Sequence, residues 1–79
     1  MGRLTCLCPG CRRTTANPKG WNEWICGKHW SAVPRNLRRR RATARRRARR
    51  DQRWQSVEYR LWLRCRAAAV DEALMGFPV

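Results

Sequence analysis

Six residues in this chain can do metal or thiol chemistry: Cys6, Cys8, Cys11, Cys26, His29 and Cys65. Four of them fall into two spaced pairs. Cys8-Pro9-Gly10-Cys11 and Cys26-Gly27-Lys28-His29 give the pattern C-x2-C-x14-C-x2-H. Two donors three positions apart face one ion only if the backbone between them curls, and Pro9, Gly10 and Gly27 permit that curl. Cys8, Cys11, Cys26 and His29 are therefore the expected ligands of a structural Zn2+, with three thiolates and one imidazole closing a tetrahedral shell. A redox dithiol is the competing use of paired cysteines, but the βαβ pattern expected around one is missing. Cys6 is a substitute ligand if the register slides, ranked below Cys8 because the two-residue spacer is the commoner geometry. Cys65 reads as a small buried hydrophobe.

The elements that must hold these donors are short. Thr14 to Ala16 and Trp21 to Ile25 are β-prone and flank Asn17-Pro18-Lys19-Gly20, which fits a type I turn, so a hairpin between them is expected. After His29 a helical turn over Trp30 to Val33 is expected, with Pro34 either breaking it or opening a new helix. Knuckle, hairpin and a ligand pair at a helix start is the order of a treble clef; a ribbon with two β-knuckles is the other zinc fold compatible with it. Trp24, Ile25, Trp30 and Val33 are the expected core around the metal, and Trp21 the expected exposed aromatic. A chain of 79 residues buries too little apolar surface to secure a fold easily, and a structural ion supplies the missing folding free energy.

The charge balance is 19 Lys+Arg against 5 Asp+Glu, a formal net of +14, with Lys19 and Lys28 the only lysines. That balance calls for a polyanionic partner. Ten arginines occupy the sixteen positions 35–50: Arg35, Arg38, Arg39, Arg40, Arg41, Arg45, Arg46, Arg47, Arg49 and Arg50. Arg and Ala favour helix, but so many like charges repel, and an anion would relieve the repulsion. Leu37, Ala44 and Ala48 share one narrow side; arginine covers the rest. Guanidinium binds phosphate through two donors, so these ten are the expected nucleic-acid contacts, to DNA or RNA. Docking on an acidic groove of a host protein is the alternative use of the same charges.

From Asp51, Trp54, Val57, Leu61, Cys65 and Ala68 recur at helical spacing, giving an amphipathic helix to about Met75, stopped by Gly76 and Pro78. Its stripe must pack back on the zinc module or form a homodimer. The division is thus 1–34 zinc module, 35–50 arginine-rich helix and 51–76 amphipathic helix: a small α+β zinc-stabilised module, treble-clef-like or ribbon, followed by two helices. No segment suits a membrane span or a secretory signal, and the start fails the myristoylation pattern, so an intracellular reducing setting is expected, where cysteines serve metal before disulfides. An enzyme is not expected, because the single His is claimed by the metal and no carboxylate cluster suits a catalytic one.

The stretches Cys8-Pro9-Gly10-Cys11-Arg12-Arg13-Thr14-Thr15, Glu23-Trp24-Ile25-Cys26-Gly27-Lys28-His29-Trp30 and Val33-Pro34-Arg35-Asn36-Leu37-Arg38-Arg39 resemble small zinc-finger-like proteins encoded by bacteriophages and prophages of proteobacteria. The resemblance covers about the first half of the chain. It implies a phage early or accessory protein in a bacterial host cytoplasm, and it implies no particular activity.

Overall fold

The structure is a computed structural model that describes residues 2–17 and 19–75. Strands β1 (Arg3–Thr5) and β2 (Thr14–Ala16) pair antiparallel, with Arg3 opposite Ala16 and Thr5 opposite Thr14. The Cys6 N–H continues the ladder to the Arg13 carbonyl at 2.8 Å. Between the strands, Cys8 to Cys11 forms a tight turn closed by the Cys11 N–H on the Cys8 carbonyl at 3.1 Å. Gly10 sits in it at φ 77, the left-handed conformation that the third position of a type II turn needs and glycine adopts without strain.

The hairpin therefore differs from the expected one. β2 pairs with β1, and the segment from Trp21 to Ile25 forms no strand. Two contacts explain its path. The Asn17 side-chain amide bonds both the N–H and the carbonyl of Trp21, each at 2.8 Å, taking the groups a ladder would have used. The Trp24 carbonyl then accepts from the Leu7 N–H at 2.9 Å, which lays this segment along the knuckle. Of the expected turn, Gly20 N–H reaches the Asn17 carbonyl at 3.4 Å, and Pro18 lies outside the described residues.

Helix α1 (Gly27–Trp30) starts with Cys26 as its extended N-cap, and Ser31 to Val33 lead out of it. Pro34 is the N-cap of α2 (Arg35–Ala48), one position before the first helical residue. The arginine helix stops two residues short of the expected end, at Ala48. Asp51 turns extended there and accepts the Arg53 N–H at 3.0 Å, capping a 3₁₀ turn (Gln52–Trp54) that runs into α3 (Gln55–Met75). Arg53 also donates to the Asp51 carboxylate through its side chain, and these two interactions with Arg53 hold the carboxyl below its ordinary value. Gly76 and Pro78, the expected stop, lie outside the described residues.

The two long helices fold into a hairpin, and α3 packs on both α2 and α1. Leu61, Cys65 and Ala69 are its buried residues, so the stripe follows four-residue steps and ends on Ala69 where Ala68 was expected. The buried cluster joins Cys6, Cys8, Ile25, Cys26 and Val33 of the front to Cys65 and Ala69 of α3. The apolar stripe of α3 is thus covered from within its own chain. Trp24 and Trp30 lie at the margin of this cluster, half-buried. Cysteine supplies four of the seven buried positions, so the centre of the fold is made of thiols more than of hydrocarbon. Among the described residues no helix is long and apolar enough to cross a membrane.

Candidate metal centre and the arginine face

Four donor atoms meet where the knuckle faces the start of α1: the sulfurs of Cys6, Cys11 and Cys26 and a ring nitrogen of His29, all within 4.8 Å of one another. Cys11 Sγ to Cys26 Sγ is 3.8 Å, Cys26 Sγ to His29 Nδ1 is 3.2 Å and Cys6 Sγ to His29 Nδ1 is 3.7 Å. A tetrahedron with metal–sulfur bonds of about 2.3 Å and a metal–nitrogen bond of about 2.0 Å has edges of about 3.8 Å and 3.5 Å. The residues present therefore fit a metal ion.

Three of the four expected ligands, Cys11, Cys26 and His29, are brought together. Cys8 is replaced in the set by Cys6. The reason lies in the strand: the ladder carries through Cys6 to Arg13, fixing Cys6 at the mouth of the hairpin opposite α1, and the Cys26 N–H points at Cys6 Sγ at 3.3 Å. Cys8 opens the tight turn that presents Cys11, and is itself buried in the core. Burial, then the negative charge of Cys6 and a hydrogen bond to it, with Cys26 and Cys11 beyond, push the Cys8 thiol up to about 12. Cys26 is the reverse. Burial opposes its thiolate, but the His29 backbone and ring and the thiols of Cys6 and Cys11 outweigh burial and bring it down to about 6. The sequence signal for Cys6 is its place two residues before Cys8, where a slide in register exchanges the two; the commoner two-residue spacer ranks it below Cys8.

Cys65 is fully buried on α3. Burial raises its thiol, against the opposing charges of Arg41 and Arg38, as fits a small core residue.

The ten arginines of the block do not share one fate. Eight are exposed, whereas Arg38 and Arg41 are half-buried. Arg38 Nε donates to the Val33 carbonyl at 3.0 Å, bracing the entry to α2. Arg41 lies over the Trp62 ring at 5.2 Å and the Trp30 ring at 5.7 Å, and pairs with Glu58 at 3.1 Å. These contacts absorb it into the packing between front and helices. Its position betrayed it: Arg41 falls four residues after Leu37 and three before Ala44, on the narrow side that faces α3. Arg47 covers the Trp54 ring at 4.6 Å.

Five of the eight exposed arginines, Arg35, Arg39, Arg45, Arg46 and Arg49, line a groove of about 480 Å³ that has no acidic residue in its lining. Around the corner of α2 runs a second groove of about 520 Å³, with the rings of Trp21, Trp24, Trp30, Tyr59 and Trp62 on its walls. Trp30, Arg41 and Arg45 line both. Glu23, at the aromatic groove, pairs with Arg66 and takes a long hydrogen bond of 3.5 Å from the Trp62 indole N–H. Compared with known proteins, the chain matches no family model, no curated protein and no solved structure.

Proposed function

We propose that this is a zinc-stabilised, non-enzymatic nucleic-acid-binding protein, in which the metal fixes the front module and the exposed arginines of α2 hold phosphates. Zinc is the ion that three thiolates and an imidazole select among common divalent metals. With all four donors on the ion its shell is closed, so it acts on folding and not on a substrate, in a treble-clef-like setting of knuckle plus helix start. Cys6, Cys11, Cys26 and His29 would hold it. His29 is then committed as a ligand and unavailable as a catalytic base. The resemblance of the first half to phage-encoded zinc-finger-like proteins supports an accessory role in a bacterial cytoplasm.

The observation that carries the reading is the groove bordered by arginine with no carboxylate in its lining. Solvated protein faces normally interleave both signs; a groove of one sign focuses the field on an anion. Guanidinium is weakly hydrated and pairs with phosphate through two parallel donors, so this surface suits a phosphate chain better than scattered carboxylates.

The test is an anisotropy titration of a labelled oligonucleotide at several salt concentrations. Each phosphate neutralised should add about −0.7 (single strand) to −0.9 (duplex) to the slope of log affinity against log salt. Replacing Arg39, Arg45, Arg46 and Arg49 by Gln should flatten that slope by several units while leaving the metal content at one ion per chain. An unchanged slope, or a stoichiometric acidic protein partner captured after nuclease treatment in place of nucleic acid, would overturn the proposal.

A further inference from the structure

We infer that the aromatic groove takes unpaired bases, so that the nucleic acid this protein prefers is single-stranded, with its phosphates on the arginine groove and one or more bases turned into the neighbouring aromatic one. The inference rests on the nucleic-acid reading above and narrows it to a substrate class.

Five of the seven aromatic residues of the chain line one groove, though they come from separate segments: Trp21, Trp24 and Trp30 from the front and Tyr59 and Trp62 from α3. Core packing accounts for part of this gathering. Trp30 and Trp62 stack on each other with ring centroids 6.1 Å apart and carry Arg41 against both faces. It does not account for Trp21 and Tyr59, which are 48% and 56% exposed. Neither ring is in the buried cluster or packed against it. Large rings left in water at the edge of a groove are available as stacking platforms, and bases stack on such rings whatever their sequence.

Charge selects the occupant. The two carboxylates of the groove, Glu23 and Glu58, are neutralised by Arg66 and Arg41, so they do not repel a polyanion. Lys19 stands over the Trp21 ring at 5.6 Å. Arg45 belongs to both grooves, which makes the basic and aromatic surfaces continuous across α2. A backbone held at Arg45 and Arg46 has its bases within reach of the aromatic side. In a duplex the base faces are covered by their neighbours and only edges are presented, so the groove offers nothing to paired bases. Its volume of about 520 Å³ is in the range of sites that enclose small organic groups.

The experiment uses the full, zinc-loaded chain and four probes of equal phosphate number: oligothymidylate, oligouridylate, an abasic strand and a duplex. Base-bearing single strands should bind about tenfold or more tightly than the abasic strand, and more tightly than the duplex, and should quench tryptophan fluorescence. Trp21→Ala with Tyr59→Ala should erase the advantage over the abasic strand while keeping abasic affinity and salt slope. Circular dichroism and zinc stoichiometry establish that the double variant is folded. Equal affinity for base-bearing and abasic strands, or a preference for duplex, overturns the groove inference while a steep salt slope on every probe leaves the phosphate reading standing. Binding to none of the four at low salt overturns both.

Discussion

The front of the molecule, up to Val33, and the helical hairpin behind it reach order by opposite means. The front has elements of three, three and four residues, and most of its chain follows turns and single hydrogen bonds. Helices α2 and α3 have 14 and 21 residues and satisfy their backbones internally. Charge runs the other way. Five basic residues and one acidic residue lie in the front, fourteen and four behind it. The front is thus short of local structure, and the hairpin is short of counter-charge. On the proposed reading a cation serves the one and an anion the other, and the two shortages are of different size: a module without regular structure loses its fold outright, while a repelling helix only frays.

Metal removal separates the two regions most sharply. Structural zinc in small modules contributes about 10–16 kcal/mol of apparent binding free energy near pH 7, more than a domain of this size can replace. Chelation, or Cys26→Ser, should abolish the tertiary signal of Trp24 and Trp30 while a good part of the helical circular dichroism, which comes from α2 and α3, persists. Acid should act the same way. Ligand sulfurs must be deprotonated, so protons compete with the metal, and affinity falls as pH falls. A full helical and tertiary signal in metal-free protein would mean that the front is as self-sufficient as the hairpin, and the contrast would be void.

Cys6 against Cys8 is the finer cut within the front. Cys6→Ser should reduce metal affinity beyond the roughly 10–100-fold that loss of an outer hydrogen-bond partner costs, whereas Cys8→Ser should stay within that range. Competition with a chromophoric chelator measures both. The reverse order would restore the ligand set read from C-x2-C spacing.

That spacing shows where sequence was informative. Cys26 and His29 were legible because two donors three apart at a helix start leave few alternatives, and Cys11 because Pro9-Gly10 marks the turn. Cys8 falls outside the donor cluster although its spacing suits a knuckle, because the strand register, a property of β1 and Arg13 together, is invisible in the sequence. The hairpin failed for a related reason: β propensity identified β2 and gave it the wrong neighbour, since nothing local told that the Asn17 side chain would stand in for a strand. The helices were legible from periodicity and the absence of Gly and Pro from Arg35 to Met75. The reversal between them was marked only by Asp51, an acid capable of capping at the end of a basic run. The aromatic groove was out of reach, because its rings come from segments far apart in the chain.

Arg41 gives the smallest predicted effect and the most direct test of how the two regions are joined. It stands in α2, yet its guanidinium faces Trp30 of the front as well as Trp62 and Glu58 of α3. Lysine at this position would keep the charge and the attraction to Glu58 but lose the flat group that can face two indoles at once. Arg41→Lys should therefore lower the urea stability of the zinc-loaded protein by about 1 kcal/mol, in the range of a partly desolvated cation–π contact. Arg45→Lys, on the exposed side of the same helix, should change it by less than about 0.5 kcal/mol. Because both variants conserve charge, a difference between them reports packing and not repulsion. Equal values would place Arg41 with the exposed arginines of α2, and leave the front and the hairpin joined through the buried cluster, the Trp30–Trp62 stack and the Glu23–Arg66 pair.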